Sequence, residues 1–363
     1  MIIKSFRAQN FRNIENCSLE FDKNVNLLLG ENAQGKTNAI EGIYLFARGK
    51  SFRRGDERDL IRFGSEGFNI SIEYEDKDGK NTLEYAVYGR ERRRKKNGYR
   101  ISSASEMIGN FKAVLFSPDD LTLVKGGPDE RREFLNVAIS QCYPTYLSVY
   151  SDYKKALENR NAILKNASKG LYFDERELIA WSESLAEYAS LIYIQRRDYI
   201  KKLEVYSKRF MEDISEGKEN LTLSYKSDIE ISPDEELREK IKEEYSKIFT
   251  ENLLKERMAG VTLYGPHRED ILIKINEKDA RIFSSQGQQR SIVLSLKMAE
   301  GEVSRELFSE YPVFLFDDVL SELDEKRQNF VLDGMHDRQI IITSCERLRK
   351  AGLVIEVNGG VFV

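Results

Sequence analysis

The 363-residue sequence predicts an α/β fold interrupted in its middle by a mainly helical insert. Three observations carry this. Short apolar strand runs alternate with helical runs in the first third and again after Val261. Between about Asp129 and Met258 the apolar spacing is that of helices. A glycine-bearing loop, Gly30–Thr37, joins the apolar run Val25–Leu29 to a helical run over Asn38–Phe46.

The elements follow in order. Phe68–Tyr74 and Leu83–Tyr88 read as strands joined by the polar turn Asp76–Lys80, and Asn97-Gly98 marks a hairpin. Tyr143-Pro144 and Lys169-Gly170 break the first helices of the insert. Glu175–Ile214 is the longest helical candidate. Its seam runs through Leu178, Trp181, Leu185, Tyr188, Ile192, Tyr199, Leu203, Tyr206 and Phe210, with one gap after Ile192. At 1.5 Å per residue it would span roughly 60 Å, as a projecting arm or as a buried helix of a bundle. The pattern then returns to strands at Asp270–Ile275, Val313–Phe316 and Gln339–Ile342. The expected organisation is one discontinuous α/β domain, residues 1–128 and 259–363, around a helical domain, residues 129–258.

Composition bounds the function. Apolar residues make up 40% of the chain, enough for a core, and charged residues 33%. The three cysteines, Cys17, Cys142 and Cys345, and the two histidines, His267 and His336, form no ligand-spaced cluster, which argues against a zinc site or a disulfide framework. Apolar runs such as Val313–Phe316 fall far short of the ~20 residues that cross a bilayer. Met1–Arg12 lacks a signal-peptide layout, so the expected location is the cytoplasm. The net charge of -4 means that any nucleic-acid surface must be a local patch.

Gly30-Glu31-Asn32-Ala33-Gln34-Gly35-Lys36-Thr37 fits G-x-x-x-x-G-K-[ST] and stands between a strand and a helix, as a phosphate cradle requires. Inward backbone N–H groups would wrap the β-phosphate of ATP, and Lys36 would reach the β- and γ-phosphates. The Thr37 hydroxyl would ligate Mg²⁺, and Asn38 opens the helix whose N-terminal field favours anions. The run Val313–Phe316 ends in Asp317-Asp318, placing two carboxylates at the edge where α/β sheets bind ligands. Asp317 would hold Mg²⁺ and Asp318 would polarise the attacking water. Thr343-Ser344, ending the run beside it, would add a polar group near the γ-phosphate.

Ser284-Ser285-Gln286-Gly287-Gln288 precedes a helical run beginning near Gln289. Read alone, Ser285 fits a helix N-cap as well as an anion-facing serine. The segment looks like the signature loop of ABC-type ATPases, with Gln286 in place of the first glycine. Ser321-Glu322-Leu323-Asp324 is similar to their D-loop. The order of phosphate loop, signature loop, acidic strand and D-loop is characteristic of ABC-type heads. It implies that Ser285, Gly287 and Gln288 act on the nucleotide of a second copy, in an ATP-sandwiched homodimer.

Phe11-Arg12-Asn13 looks like the N-terminal motif of SMC-like heads, which places Arg12 and Asn13 near the nucleotide. Phe116-Ser117-Pro118-Asp119-Asp120-Leu121 with Gly127-Pro128 and Arg131-Arg132, then Arg160-Asn161, and Gly265-Pro266-His267-Arg268 with Asp270, resemble the RecF family of bacterial recombination-repair proteins over roughly residues 2–360. The resemblance implies an ABC-type ATPase head with a helical arm, and an ATP-dependent DNA-binding protein of replication, repair and the SOS response. It also implies gapped or junction DNA, RecO, RecR and the recombinase RecA as partners. Asp318 stands where transporters carry Glu, and Ser344 where they carry the switch His. Both favour a slow ATPase used as a switch. The missing switch His and the long insert argue against a transporter ATPase. The intact Lys36, Thr37, Asp317 and Asp318 argue against a mere scaffold, and the length leaves no room for an added nuclease domain.

Arg90, Arg92, Arg93, Arg94, Lys95, Lys96 and Arg100 crowd around the Asn97-Gly98 turn. Such a hairpin could grip DNA phosphates through Arg92, Arg93, Arg94, Lys95 and Lys96, or be an edge strand guarded by charge.

Overall fold

The computed structural model describes residues 1–53, 55–229, 231, 238–334, 337–348 and 351–363. His336 lies outside them. The chain forms two compact units. Unit 1 comprises Met1–Val124, Tyr206–Asn220 and Ser284–Val363, and unit 2 comprises Lys125–Val205 and Leu221–Phe283.

Unit 1 contains two six-stranded sheets. One has the order Val361–Phe362, Leu353–Asn358, Val25–Leu29, Ile340–Ser344, Val313–Asp317, Ala113–Phe116. Its five longer strands are parallel, and only the short Val361–Phe362 strand is antiparallel. The central strands are apolar throughout because helices cover both faces of a parallel sheet. The Lys36–Arg48 helix packs against the Val313–Asp317, Ile340–Ser344 and Ala113–Phe116 strands, and the Gln286–Phe308 helix packs against Ala113–Phe116. Gly301 of the second helix takes no side chain because the Phe314 ring would stand 2.3 Å from a Cβ. Gly42 of the first meets the Phe6 ring in the same way, at 2.6 Å.

Phe6 belongs to the other sheet, which is antiparallel: Ile14–Glu20, Ile2–Phe11, Gly67–Asp76, Gly79–Tyr88, Glu91–Lys96, Tyr99–Ile101. Its strands alternate buried and exposed residues, the signature of a sheet with one wet face.

Unit 2 is mainly helical, with the helices Pro128–Cys142, Pro144–Ser168, Arg238–Glu251 and Leu253–Ala259 and the first part of Glu175–Ser215. It also has a three-stranded antiparallel sheet of Leu221–Lys226, Asp270–Ile275 and Lys278–Asp279. Here the structure departs from the expected boundaries. Asp270–Ile275, expected in the α/β domain, pairs along its whole length with Leu221–Lys226, so the chain stays in unit 2 up to Phe283. Conversely, Tyr206–Asn220 belongs to unit 1.

The long helix buries the expected seam at Leu178, Leu185, Ile192, Tyr199, Leu203 and Phe210. The gap in that seam is Arg196, which is fully buried. Its guanidinium donates to the Pro266 carbonyl (2.6 Å), Asn136 Oδ1 (3.0 Å) and the Tyr146 hydroxyl (3.1 Å). Arg160 is likewise buried and donates to Glu256 Oε2 (2.6 Å), Thr262 Oγ1 (2.8 Å) and Ser182 Oγ (2.8 Å). Asn161 Oδ1 accepts from the Thr262 N–H at 2.7 Å. Arg131 makes a two-pronged pair with Asp270, both contacts at 2.8 Å. These residues therefore build the interior of unit 2: Arg131 and Arg160 are paired with carboxylates, and Arg196 is satisfied by three neutral acceptors, so each buried guanidinium is hydrogen-bonded, the condition under which burial is tolerable.

Candidate nucleotide-binding site

The phosphate loop leaves the C-terminal end of the central Val25–Leu29 strand and enters the Lys36–Arg48 helix. Gly35 caps that helix at φ 113°, in the region that favours glycine, and a Cβ there would lie 2.8 Å from Asn13 Oδ1. The loop is braced from the C-terminal hairpin. The Gly360 N–H donates to the Gln34 carbonyl (2.7 Å), and the Gly359 N–H to Gln34 Oε1 (2.5 Å). Gly30 sits against the Val357 carbonyl, and its own N–H donates to the Ser344 carbonyl (3.2 Å).

Lys36 is buried and folds back over the loop. Its ammonium donates to the carbonyls of Gly30 and Glu31 (the latter at 2.8 Å) and lies 3.5 Å from Cys345 Sγ. Cys345 Sγ in turn lies 3.1 Å from Asn32 Oδ1.

The Thr37 hydroxyl donates to Asp317 Oδ1 at 2.7 Å. That one contact unites the phosphate loop with the acidic strand end, across 280 residues of sequence. Parallel pairing explains it: Phe316 is level with Ile342, and Ile342 with Leu27, so all three strands end at one edge. Thr343 Oγ1 also donates to Asp317 Oδ1 (3.0 Å) and accepts from the Asp318 N–H (2.9 Å). Burial raises the Asp317 carboxyl above its ordinary pKa, against these hydroxyl hydrogen bonds and the nearby Arg53 charge. Asp318 takes a left-handed backbone (φ 55°), which turns the chain sharply after the strand, and its carbonyl accepts from Ser321 Oγ (2.9 Å). A hydroxyl and a carboxylate converging on one point, both oxygen donors, suit a magnesium ion.

Arg12 and Asn13 flank the loop in different ways. Asn13 Oδ1 accepts from Asn38 Nδ2 (2.7 Å) beside Gly35. Arg12 instead makes a two-pronged pair with the fully buried Glu41, at 2.7 and 3.0 Å, and donates to the Asp59 carbonyl (2.8 Å). Arg53 lies 3.6 Å from Glu41 and donates to Asn38 Oδ1 (3.0 Å). Sequence reading missed Glu41 and Arg53, although a carboxylate inside the apolar run Ala39–Phe46 is a signal of a buried, paired charge. Arg12, Arg48, Lys50 and Arg53 line a cleft of about 310 Å³ beside the helix.

The signature helix begins at Gln286, earlier than expected. Ser285 is its N-cap in a capping box: its hydroxyl accepts from the Gln288 N–H (3.2 Å) and Gln288 Oε1 accepts from the Ser285 N–H (2.8 Å). Gln288 Nε2 donates to Glu219 Oε1 at 2.8 Å.

The basic hairpin forms at Asn97-Gly98, but its five cations do not share a face. Strand alternation separates them. Arg92, Arg94 and Lys96 stand opposite the buried Val87, Tyr85 and Leu83. They bind Glu57 (2.6 Å), the Tyr85 ring (4.7 Å to its centroid) and Asn110 (2.7 Å). Arg93 and Lys95 lie on the other face, 2.7 Å from Glu91 and 3.6 Å from Glu84, and like Arg92 they are exposed.

Residues 2–357 match the RecF/RecN/SMC N-terminal domain family. A DNA replication and repair protein RecF from Clostridioides difficile (strain 630) is 40% identical over 351 residues, spanning 95% of this chain and 92% of its own. The chain belongs to the RecF family. A second relative of that description, from Streptococcus suis (strain 05ZYH33), is also 40% identical, over 96% of this chain and 95% of its own. The family carries an ABC-type ATPase head, and the fold agrees. A solved structure described as the recombination mediator protein RecF-ATP in the RecFOR pathway superposes with a TM-score of 0.92 at 34% identity, covering 100% of this chain and 97% of that one. A second, described as RecF-ATPrS, gives the same TM-score and identity over 99% of this chain. Among the described residues, no helix is long and apolar enough to cross a membrane, and no group of three His, Cys, Asp or Glu side chains converges as a metal cluster.

Proposed function

We propose that this chain is a slow, DNA-dependent ATPase of recombination repair that uses ATP as a clamp signal. The observation that carries the reading is the Thr37–Asp317 contact at 2.7 Å, which brings the phosphate loop and the acidic strand end to one point. Membership in the RecF family, and relatives described with ATP and in the RecFOR pathway, support the DNA half.

In this reading the loop amides of Gly30–Lys36 receive the phosphates of ATP. Lys36 exchanges its carbonyl partners for the β- and γ-phosphates. Thr37 and Asp317 hold Mg²⁺, which when bound neutralises phosphate charge. Asp318 orients and polarises the attacking water. Ser285, Gly287 and Gln288 meet the nucleotide of a second copy, so ATP closes a homodimer around gapped or junction DNA and hydrolysis releases it. RecO, RecR and the RecA recombinase are the partners of this function, in the cytoplasm, during repair, replication restart and the SOS response. In this reading Arg93 and Lys95 of the basic strand, on the face away from Tyr85 and paired only with Glu91 and Glu84, are the first to meet DNA phosphates.

The test is sedimentation with saturating ATP and Mg²⁺, with and without gapped DNA. Wild type is expected to dimerise, Lys36→Met to lose both ATP binding and dimerisation, and Asp318→Asn to dimerise and persist. A wild type that stays monomeric under both conditions would overturn the clamp.

A further inference from the structure

The D-loop and the signature loop lie on different elements, separated by the acidic strand. Ser285 caps the Gln286–Phe308 helix, and Asp324 caps the Glu325–Asp333 helix by accepting from the Arg327 N–H at 2.9 Å. The Arg327 side chain joins the two. Its Nε and Nη2 both donate to the buried Ser291 Oγ, at 2.9 and 2.8 Å. Nη2 also donates to the Gly287 carbonyl at 3.1 Å, and Nη1 binds the Asp324 carboxylate. A guanidinium is planar and rigid, so four such contacts fix both distance and angle between the segments they join. Each of these contacts goes to the signature or the D-loop segment, and none to the phosphate loop.

We propose that Arg327 is a positioning residue for the half-site that acts in trans: it locks the Ser285–Gln288 loop to the Ser321–Asp324 loop, so that one subunit presents both as a single surface to the nucleotide held by another copy. This rests on the ATP-closed dimer proposed above. The lock explains why a residue distant in sequence from the phosphate loop carries so many hydrogen bonds at a half-exposed helix start. It also assigns Ser291 a role as the shared acceptor.

The consequence is directional. Removing the guanidinium leaves a subunit able to bind ATP in its own loop but unable to serve its partner. A plain loss of folding would harm both roles alike. The experiment compares Arg327→Ala and Ser291→Ala in the full-length protein. It measures ATP binding, DNA-stimulated hydrolysis, and hydrolysis after mixing with Lys36→Met. Arg327→Ala is expected to bind ATP within about twofold of wild type and to hydrolyse it at least about tenfold more slowly, since a charged hydrogen-bond set is lost. Ser291→Ala is expected to slow hydrolysis in the same direction by roughly threefold, as one neutral acceptor goes.

Mixing decides the matter. Lys36→Met subunits cannot bind ATP but keep an intact signature and D-loop, so they should rescue one site of Arg327→Ala in mixed dimers. Hydrolysis should then exceed the sum of the two variants assayed alone. Hydrolysis by Arg327→Ala within twofold of wild type, weakened ATP binding, or a mixture no faster than the sum would each overturn the assignment. Wild type is sedimented alongside with ATP: if it stays monomeric, the failure lies with the dimer, not with Arg327.

Discussion

Replacing Gly30 with alanine tests whether the phosphate loop is held by the C-terminal hairpin. The Gly30 backbone is not in a glycine-only conformation, so any penalty must come from contact. The added Cβ would stand 2.3 Å from the Val357 carbonyl oxygen, roughly 1 Å inside ordinary van der Waals distance, and 3.3 Å from its carbon. Neither side yields alone. The Val357 strand pairs in register with Val25–Leu29, with Glu356 level with Leu29, while Gly30 donates to Ser344 and Gln34 is gripped by Gly359 and Gly360. Overpacking of this kind costs about 1–3 kcal/mol. Because the strain falls on the loop proposed to receive the phosphates, we expect most of it to appear in ATP binding, a loss of about 5- to 100-fold at 1.4 kcal/mol per tenfold. Calorimetric titration with ATP measures this, and thermal unfolding reads the remainder. Gly127→Ala, whose Cβ meets nothing nearer than 3.5 Å, serves as the control and should change neither. ATP binding by Gly30→Ala within twofold of wild type would falsify the bracing argument.

Three further outcomes are expected. Arg160→Met strands the buried carboxylate of Glu256 and should destabilise unit 2 by about 3–5 kcal/mol in urea titrations, as breaking a buried pair does; a change below 1 kcal/mol would mean that water reaches Glu256. Burial lowers the His267 pKa to about 4, below its unfolded value, with its ring held by the Tyr153 hydroxyl (2.6 Å) and the Thr262 carbonyl (3.2 Å). The folded state therefore prefers the neutral ring, so its stabilisation is full above pH 6.5 and is lost as pH falls toward 4. His267→Gln should flatten the stability profile in that window relative to wild type, and parallel profiles would refute the assignment. Arg93→Ala with Lys95→Ala should lower the slope of log affinity for DNA against log salt by up to about 2, near 0.9 per phosphate contact, whereas Arg92→Ala with Arg94→Ala should chiefly lower the melting temperature.

Part of the ATPase head was legible because its elements carry a local pattern: apolar runs at Val25–Leu29, Val313–Phe316 and Gln339–Ile342, turn signals beside Phe68–Tyr74 and Leu83–Tyr88, and glycine with lysine at the loop; the strands Ile2–Phe11, Ile14–Glu20, Ala113–Phe116 and Leu353–Asn358 went unread. The long helix was equally legible, including the gap in its seam. What filled the gap was not. Arg196 is buried because Asn136, Tyr146 and Pro266, from three other places in the chain, converge on it. Helical spacing alone reads an arginine at that position as surface. The basic hairpin shows the opposite failure. A run of cations reads as one patch in sequence, yet the period of two places Arg92, Arg94 and Lys96 on the inward face.

The sequence by itself determined the strand–loop–helix at Gly30–Thr37, the acidic strand end, the helical character of the middle segment and the family resemblance, because these depend on residues near one another in the chain. The tertiary structure decided which groups meet. Parallel pairing of three strands brings Thr37 to Asp317, and pairing of Leu221–Lys226 with Asp270–Ile275 extends the helical unit beyond its expected end. Arg12 is held by Glu41 and the phosphate loop by Gly359 and Gly360, contacts between residues whose separation along the chain carries no periodic signal. Local pattern fixes what an element is. Register and packing fix what its side chains touch, and the chemistry of this site depends on the touching.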